Sequence, residues 1–167
     1  NEIIDNIQKK FKLFETKTIS SATIMASMPG TEYAIDFAKS NLNYSFGLHL
    51  NFITDDTESP LLDHTKIPSL TNNKGYFHDT KTLRKLSILN KIDPLDIELE
   101  TMAQLERVTK FDINISHLDS HGHIHKLPIF SKTLSLIKNK IKINKIRNVQ
   151  NIFFQKKYLN VNYLLGY

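Results

Sequence analysis

The sequence predicts an α/β fold in which parallel strands alternate with helices. Short runs rich in β-branched and small residues alternate along the chain with longer runs whose apolar residues recur at helical spacing, as in βαβ units. Of the 167 residues, 40% are hydrophobic and 23% are charged, which is ordinary for a globular domain. No linker-like stretch or internal repeat interrupts the chain. We therefore expect residues 1–167 to form one domain, or a part of one.

Each element follows from a local pattern. Asp93 is expected to cap a helix that has Pro94 at its first position, and Pro128 is expected to begin another helix. Acidic residues, two prolines and "NNKG" in residues 54–80 indicate a long irregular loop, which is usually functional or disordered. The predicted strands are 18–27, 44–53, 111–119 and 144–150, and the predicted helices are 2–15, 31–41, 93–110 and the one that begins at Pro128.

Composition excludes several classes of protein. The chain has no cysteine, which rules out disulfides and thiolate metal sites within it. No apolar run approaches the roughly 18–20 residues of a membrane span, so we expect a cytoplasmic protein without a membrane partner. The net charge is +5, but the lysines lie between apolar residues at helical spacing, so no nucleic-acid partner is predicted. A homo-oligomer is left open.

The stretch "SHLDSHGHIHKLP" (116–128) holds four of the seven histidines, at positions 117, 121, 123 and 125, together with Asp119. It begins where the third strand is predicted to end, and functional groups of parallel α/β folds collect at the carboxyl ends of strands. In an extended chain all five side chains would project to one side, whereas a turn at Gly122 would fan the later histidines around the rim. Imidazole and carboxylate groups are ligands of zinc and related ions and also serve as general acids and bases.

A second candidate lies in the strand "YSFGLHLNFI" (44–53). Alternation places Leu48 and Leu50 on one face and His49 and Asn51 on the other. A lone strand histidine is often only a hydrogen-bonded core residue, so both interpretations of His49 stay open at this point. His64 and His78 lie in the polar loop and are expected to be solvated. Glu98 and Glu100 are expected to be solvated on a helix face.

Four stretches resemble the YdjC-like carbohydrate deacetylases, a family that includes chitooligosaccharide deacetylases. They are "SSAT" (20–23), "FGLHLNF" (46–52), "ELETMAQLERV" (98–108) and "HLDSHGHIHKLP" (117–128), in the family's order and spacing. The resemblance implies an irregular parallel (β/α) barrel that removes the N-acetyl group of amino sugars or chitooligosaccharides with a divalent metal ion, Mg²⁺ or Zn²⁺. An N-acetylated sugar is the implied substrate.

The resemblance also implies residue roles. His49 and His121 match the family's two metal-ligating histidines, and the third ligand belongs to a "DDFG"-like motif that precedes the matched region. We accordingly expect the chain to lack the first strand and the C-terminal part of the fold, and to be inactive alone. At the rim, we expect His125 or His123 to be the acid that protonates the leaving amine. His117 and the catalytic-site Asp119 are expected to orient His121. Arg147 and Asn51 are expected to contact the substrate.

Two other functions compete with this interpretation. One is a metal hydrolase of the amidohydrolase or phosphoesterase type, suggested by "DSHGHIH", although those families usually carry their His-x-His on the first barrel strand. The other is a non-catalytic carbohydrate- or metal-binding remnant of the deacetylase fold, because two histidines alone hold a metal weakly.

Overall fold

Parallel strands form the sheet of this protein, and helices follow them along the chain. The computed structural model describes residues 2–55 and 58–147. The strands lie side by side in the order β1, β2, β3, and both pairings are parallel, which confirms the predicted α/β class with a parallel sheet. Closure into an irregular barrel, and the extent of the domain, stay predictions. The strands are β1 (Ser21–Ile24), β2 (Ser45–Leu50) and β3 (Leu118–Ser120).

Five α-helices are described within these ranges, and most of them begin where capping signals predict. Asp93 accepts a hydrogen bond from the backbone N–H of Leu95, and Pro94 occupies the first helical position, as expected. Pro128 likewise begins a helix. The helices are α1 (Glu2–Glu15), α2 (Thr31–Ser40), α3 (Thr80–Ile88), α4 (Pro94–Thr109) and α5 (Pro128–Ile141).

Helix α3 was not predicted, although its sequence carries a start signal. The carboxylate of Asp79 accepts hydrogen bonds from the backbone N–H and the hydroxyl of Thr82, which caps the helix. Leu83 is fully buried one turn into the helix. Residues 54–55 and 58–79 are mostly irregular, as expected, with one 3₁₀ turn at His64–Lys66.

The third strand is shorter than the predicted 111–119. Asp112 has a left-handed backbone (φ 60°), which ends regular extended structure there. The segment joins β2 at Ser116, whose N–H donates to the carbonyl of Phe46 at 2.8 Å. Of the predicted fourth strand, Ile146 forms an isolated parallel bridge with Leu118, while residues 148–150 lie outside the described residues.

Helix α4 corrects the expectation for Glu100. Its carboxylate is fully buried rather than solvated, and it accepts hydrogen bonds from the backbone N–H groups of Leu61 (3.1 Å) and Leu62 (3.3 Å) and from Gln104. The Glu100 side chain therefore links the long loop to α4 through these hydrogen bonds. Glu98 is half-buried and pairs with Lys140 on α5 at 2.6 Å.

A core of aliphatic and aromatic side chains lies between the sheet and the helices. Leu48, Leu50 and Phe52 are fully buried, as the alternation in β2 predicts. Because side chains alternate along a strand, His49 lies on the opposite face of β2, with the polar groups at the carboxyl ends of the strands. No helix within the described ranges has the length and apolar character needed to cross a membrane.

Candidate functional site

The candidate site begins at the ends of β2 and β3, where the register brings two polar residues side by side. His49 on β2 and Asp119 on β3 are direct partners across the parallel ladder. His49 Nδ1 lies 2.5 Å from Asp119 Oδ1 and 3.3 Å from the hydroxyl of Thr23 on β1. Three adjacent strands thus contribute one residue each to this cluster, and His49 is a partnered member of it.

Asp119 is held as a carboxylate by its surroundings. Burial by itself would raise the pKa of Asp119, but the hydrogen bond from His49, the charges of His49 and Arg147 and the hydrogen bond from Thr23 together lower that pKa below its usual value. The nearest guanidinium nitrogen of Arg147 is 3.6 Å from Asp119 Oδ2. Each of the two carboxylate oxygens therefore faces a different nitrogen-bearing side chain.

His121 lies beside His49, as the predicted metal pair requires. The centroids of the two rings are 5.9 Å apart, with the planes inclined at 65°. His121 Nε2 contacts the carboxylate of Asp55 at 2.9 Å, and this Asp55 side chain is 68% exposed. The expectation that Asp119 orients His121 is wrong, because the register of β2 and β3 directs Asp119 to His49 instead.

His117 does not orient His121 either. Its ring lies against the backbone of Gly47, so closely that a Cβ added there would fall 2.6 Å from His117 Nε2. Its Nδ1 contacts the hydroxyl of Ser116 at 2.8 Å. His117 precedes Asp119 by two residues on the same side of an extended chain, so it lies nearer the start of the sheet than the rim.

A turn at Gly122 fans the later histidines apart, which is the second of the two geometries that the sequence allows. Gly122 (φ 57°) and His123 (φ 55°) are both left-handed, within the 3₁₀ segment His121–Lys126. His123 is exposed at the rim. Burial first, and then the charges of Lys126 and Arg147, lower the pKa of His123.

His125 turns into the protein instead. It is 4% exposed, and its Nδ1 contacts the hydroxyl of Ser120 at 2.7 Å. Burial, the main cause, lowers the pKa of His125 to about 4, so the ring is neutral at pH 7. This environment opposes the imidazolium that a proton donor needs. The acid role of His125 stays a prediction, and His123 is the more accessible of the two candidates.

The two predicted substrate contacts lie in different surroundings. Arg147 is half exposed and lines a pocket of about 450 Å³ together with Thr23, His117 and Asp119. Asn51 is 1% exposed, and its side-chain oxygen accepts a hydrogen bond from the N–H of Ile53. The geometry therefore gives Asn51 a structural role at the end of β2. A substrate contact by either residue stays a prediction.

The donor set fits part of a metal site. The contacts of His49 use Nδ1 and that of His121 uses Nε2, which leaves one nitrogen of each ring for an ion. Within residues 2–55 and 58–147, no group of three or more His, Asp or Glu side chains is arranged to hold a metal. His49 and His121 thus stay the two candidate ligands among the described residues.

Comparison with known proteins identifies the family. A family profile described as "YdjC-like protein" matches residues 11–162, which is most of the chain. The chain belongs to the YdjC-like family. This confirms the resemblance seen in the four sequence stretches.

Curated relatives of this YdjC-like chain are named carbohydrate deacetylases. A carbohydrate deacetylase of Geobacillus stearothermophilus is 36% identical over 115 residues, which are 69% of this chain and 42% of the relative. A carbohydrate deacetylase of Clostridium beijerinckii is 28% identical over 150 residues, which are 89% of this chain and 56% of the relative. The YdjC-like chain thus spans about half the length of the curated relatives that it matches.

A solved structure supports the fold of the YdjC-like chain. A crystal structure from Enterococcus faecalis V583, described provisionally as a cellobiose-phosphate cleavage protein, superposes with a TM-score of 0.69 at 23% identity. The match covers 88% of this chain and 54% of that one. At this identity the likeness concerns the fold alone.

Sequence reasoning missed two members of the site. Thr23 lies in the quoted stretch "SSAT", but its contact with His49 depends on the parallel register of β1 and β2, which places it beside Gly47. Asp55 lies five residues beyond the end of β2, and its carboxylate contacts His121, which is 66 residues distant in the chain. In both cases the signal is tertiary rather than local.

Proposed function

We propose that the full-length protein is a metal-dependent carbohydrate deacetylase that hydrolyses the N-acetyl group of amino sugars or chitooligosaccharides. The observation that carries the proposal is the pair of imidazoles, His49 and His121, 5.9 Å apart at the carboxyl ends of the strands in a YdjC-like chain. The carbohydrate deacetylases among its relatives supply the substrate class.

His49 and His121 would hold the ion, Mg²⁺ or Zn²⁺, and the third ligand would come from outside the described residues. A bound divalent ion supplies a Lewis acid and lowers the pKa of water in its shell. The affinities of the protein for Zn²⁺ and Mg²⁺ would distinguish the two ions, because imidazole suits zinc better than magnesium, which prefers oxygen ligands.

The other side chains of the rim would act on the sugar. His123 is the exposed imidazole of the cluster, so it is our candidate for the group that donates a proton to the leaving amine nitrogen. Arg147 is half exposed beside the pocket and would donate hydrogen bonds to sugar hydroxyls while it faces Asp119. Closure of the sheet into an irregular barrel would place these groups around one mouth.

The test is acetate release from N-acetylated chitooligosaccharides by the full-length protein, measured with added Zn²⁺ or Mg²⁺ and again with a chelator. We expect release that the chelator abolishes. His49→Ala and His121→Ala should each reduce release by at least about 100-fold, because changes to outer-shell partners alone typically cost 10–100-fold. His64→Ala is the matched control, since His64 is exposed on the loop, and it should retain activity.

Three results would contradict parts of the proposal. Chelator-sensitive release that persists in both histidine variants would remove His49 and His121 from the metal site. Release of phosphate from phosphorylated substrates, without acetate, would favour the phosphoesterase alternative. A folded protein that binds metal and oligosaccharide without any release would be the non-catalytic remnant.

A further inference from the structure

We propose that Asp119 is the positioning residue of the site and acts through His49, by fixing the ring so that Nε2 is its free acceptor nitrogen. The inference rests on the proposed function, because it takes His49 as a metal ligand, but the contact between Asp119 and His49 does not depend on a bound ion. Across the parallel ladder the two residues are direct partners, so the contact between Nδ1 and Oδ1 is set by the sheet.

The first step concerns the proton. An ionised carboxylate has only acceptor oxygens, so the hydrogen bond between Asp119 and His49 requires Nδ1 to carry the hydrogen. The neutral imidazole then has its lone pair on Nε2. Because metal-ligating histidines commonly donate their other ring N–H to a carboxylate, this is the tautomer that a metal ligand needs.

The second step concerns what holds Asp119. Its side chain is 11% exposed, Thr23 hydrogen-bonds to the carboxylate, and Arg147 lies 3.6 Å from its second oxygen. The carboxylate therefore has little freedom to rotate away from His49. An aspartate fixed on both oxygens directs its partner more firmly than one that is free in solvent.

The third step is a contrast within the same site. Asp55 contacts the other histidine of the pair, His121, at 2.9 Å, but the Asp55 side chain is 68% exposed. Exposed ion pairs contribute little, because solvent screens them and the side chains lose entropy in forming them. From this geometry, Asp119 should affect metal binding more than Asp55 does, and this difference can be measured.

The test compares Asp119→Asn with Asp55→Asn in the full-length protein. In Asp119→Asn, the guanidinium of Arg147 attracts the amide oxygen, so the amide NH₂ turns toward His49 and donates to Nδ1. The ring then carries its hydrogen on Nε2. We expect Zn²⁺ affinity, measured by titration calorimetry, to fall by about 10–100-fold in Asp119→Asn. Asp55→Asn should change it by about fivefold or less.

A second readout does not depend on metal binding. Long-range ¹H–¹⁵N spectra of the metal-free protein report the tautomer of each histidine, and we expect His49 to be protonated on Nδ1 in the wild type and on Nε2 in Asp119→Asn. Should Asp119→Asn fail to fold, Thr23→Val keeps the test open, because it loosens the same carboxylate and should lower Zn²⁺ affinity in the same direction.

The outcomes separate this inference from the proposed function. An unchanged His49 tautomer together with wild-type Zn²⁺ affinity in Asp119→Asn would overturn the role of Asp119 and leave the deacetylase proposal intact. Wild-type Zn²⁺ affinity in His49→Ala would instead remove His49 as a ligand, and the tautomer spectra would still decide whether Asp119 orients the ring. A loss in Asp55→Asn as large as that in Asp119→Asn would also contradict the inference.

Discussion

Gly47 lacks a side chain where the ring of His117 lies against the backbone of β2. A Cβ added to residue 47 would lie 2.6–2.7 Å from three atoms of that ring. His117 is held in turn, because its Nδ1 contacts Ser116 and Ser116 bonds to the carbonyl of Phe46. The glycine of "FGLHL" is therefore explained by a neighbouring strand.

We predict that Gly47→Ala lowers the free energy of unfolding by about 1–3 kcal/mol, because the added methyl group forces the ring of His117 out of its place. Chemical denaturation of the full-length protein would measure the change. The control is a double-mutant cycle with His117→Ala, in which the alanine at 47 should cost much less because the ring is gone. Equal costs of Gly47→Ala in both backgrounds would show that His117 does not fill this space.

Single residues also show where sequence reasoning reaches its limit. The choice of His49 and His121 needed only strand alternation and a family motif, and the structure places the two rings side by side. The partner of Asp119 could not be inferred in this way. Spacing along the chain favours His121, two residues away, while the ladder favours His49, which is 70 residues distant.

Helix α4 joins the long loop to the strand that carries His49. Glu100 accepts from the loop backbone, and Gln104, one turn later, bonds to both the N–H (2.9 Å) and the carbonyl (2.6 Å) of Asn51. The amide of Gln104 thus pairs with the end of β2 as a neighbouring strand would. Buried polar groups of this kind are costly to leave unpaired.

We predict that Glu100→Gln destabilises the protein by about 1–3 kcal/mol. The N–H of Leu62 donates to Glu100 at present, and in the variant it would face the amide NH₂ of glutamine, which is also a donor. The matched control on the same helix is Glu98→Gln, which removes a pair with the exposed Lys140 and should cost less than about 1 kcal/mol. Urea midpoints of the two variants would measure the difference. Equal costs would mean that the buried network contributes no more than a surface pair.

The elements that the sequence predicted well are those with local signals. Asp93–Pro94 and Pro128 mark helix starts, and the structure begins α4 and α5 there. Glu100 looked solvated because a lone acid on a helix is usually exposed, and only the distant backbone of Leu61 and Leu62 explains its burial. Helix α3 has a comparable local start signal in Asp79, which caps its first turn.

In the molecule as a whole, the parallel sheet brings side chains from distant parts of the chain to one edge. Thr23, His49 and Asp119 come from three strands, and His121 follows directly after the third. We therefore expect His49 and His121 to bind the same ion in the proposed deacetylase.

The most direct test of this claim is anomalous diffraction at the zinc edge from crystals of the full-length protein grown with Zn²⁺. We expect one strong peak about 2.0–2.1 Å from a nitrogen of His49 and from a nitrogen of His121. Chelation before data collection should remove that peak. A zinc peak on other side chains, with His49 and His121 both free of metal, would show that these two histidines are not the ligands.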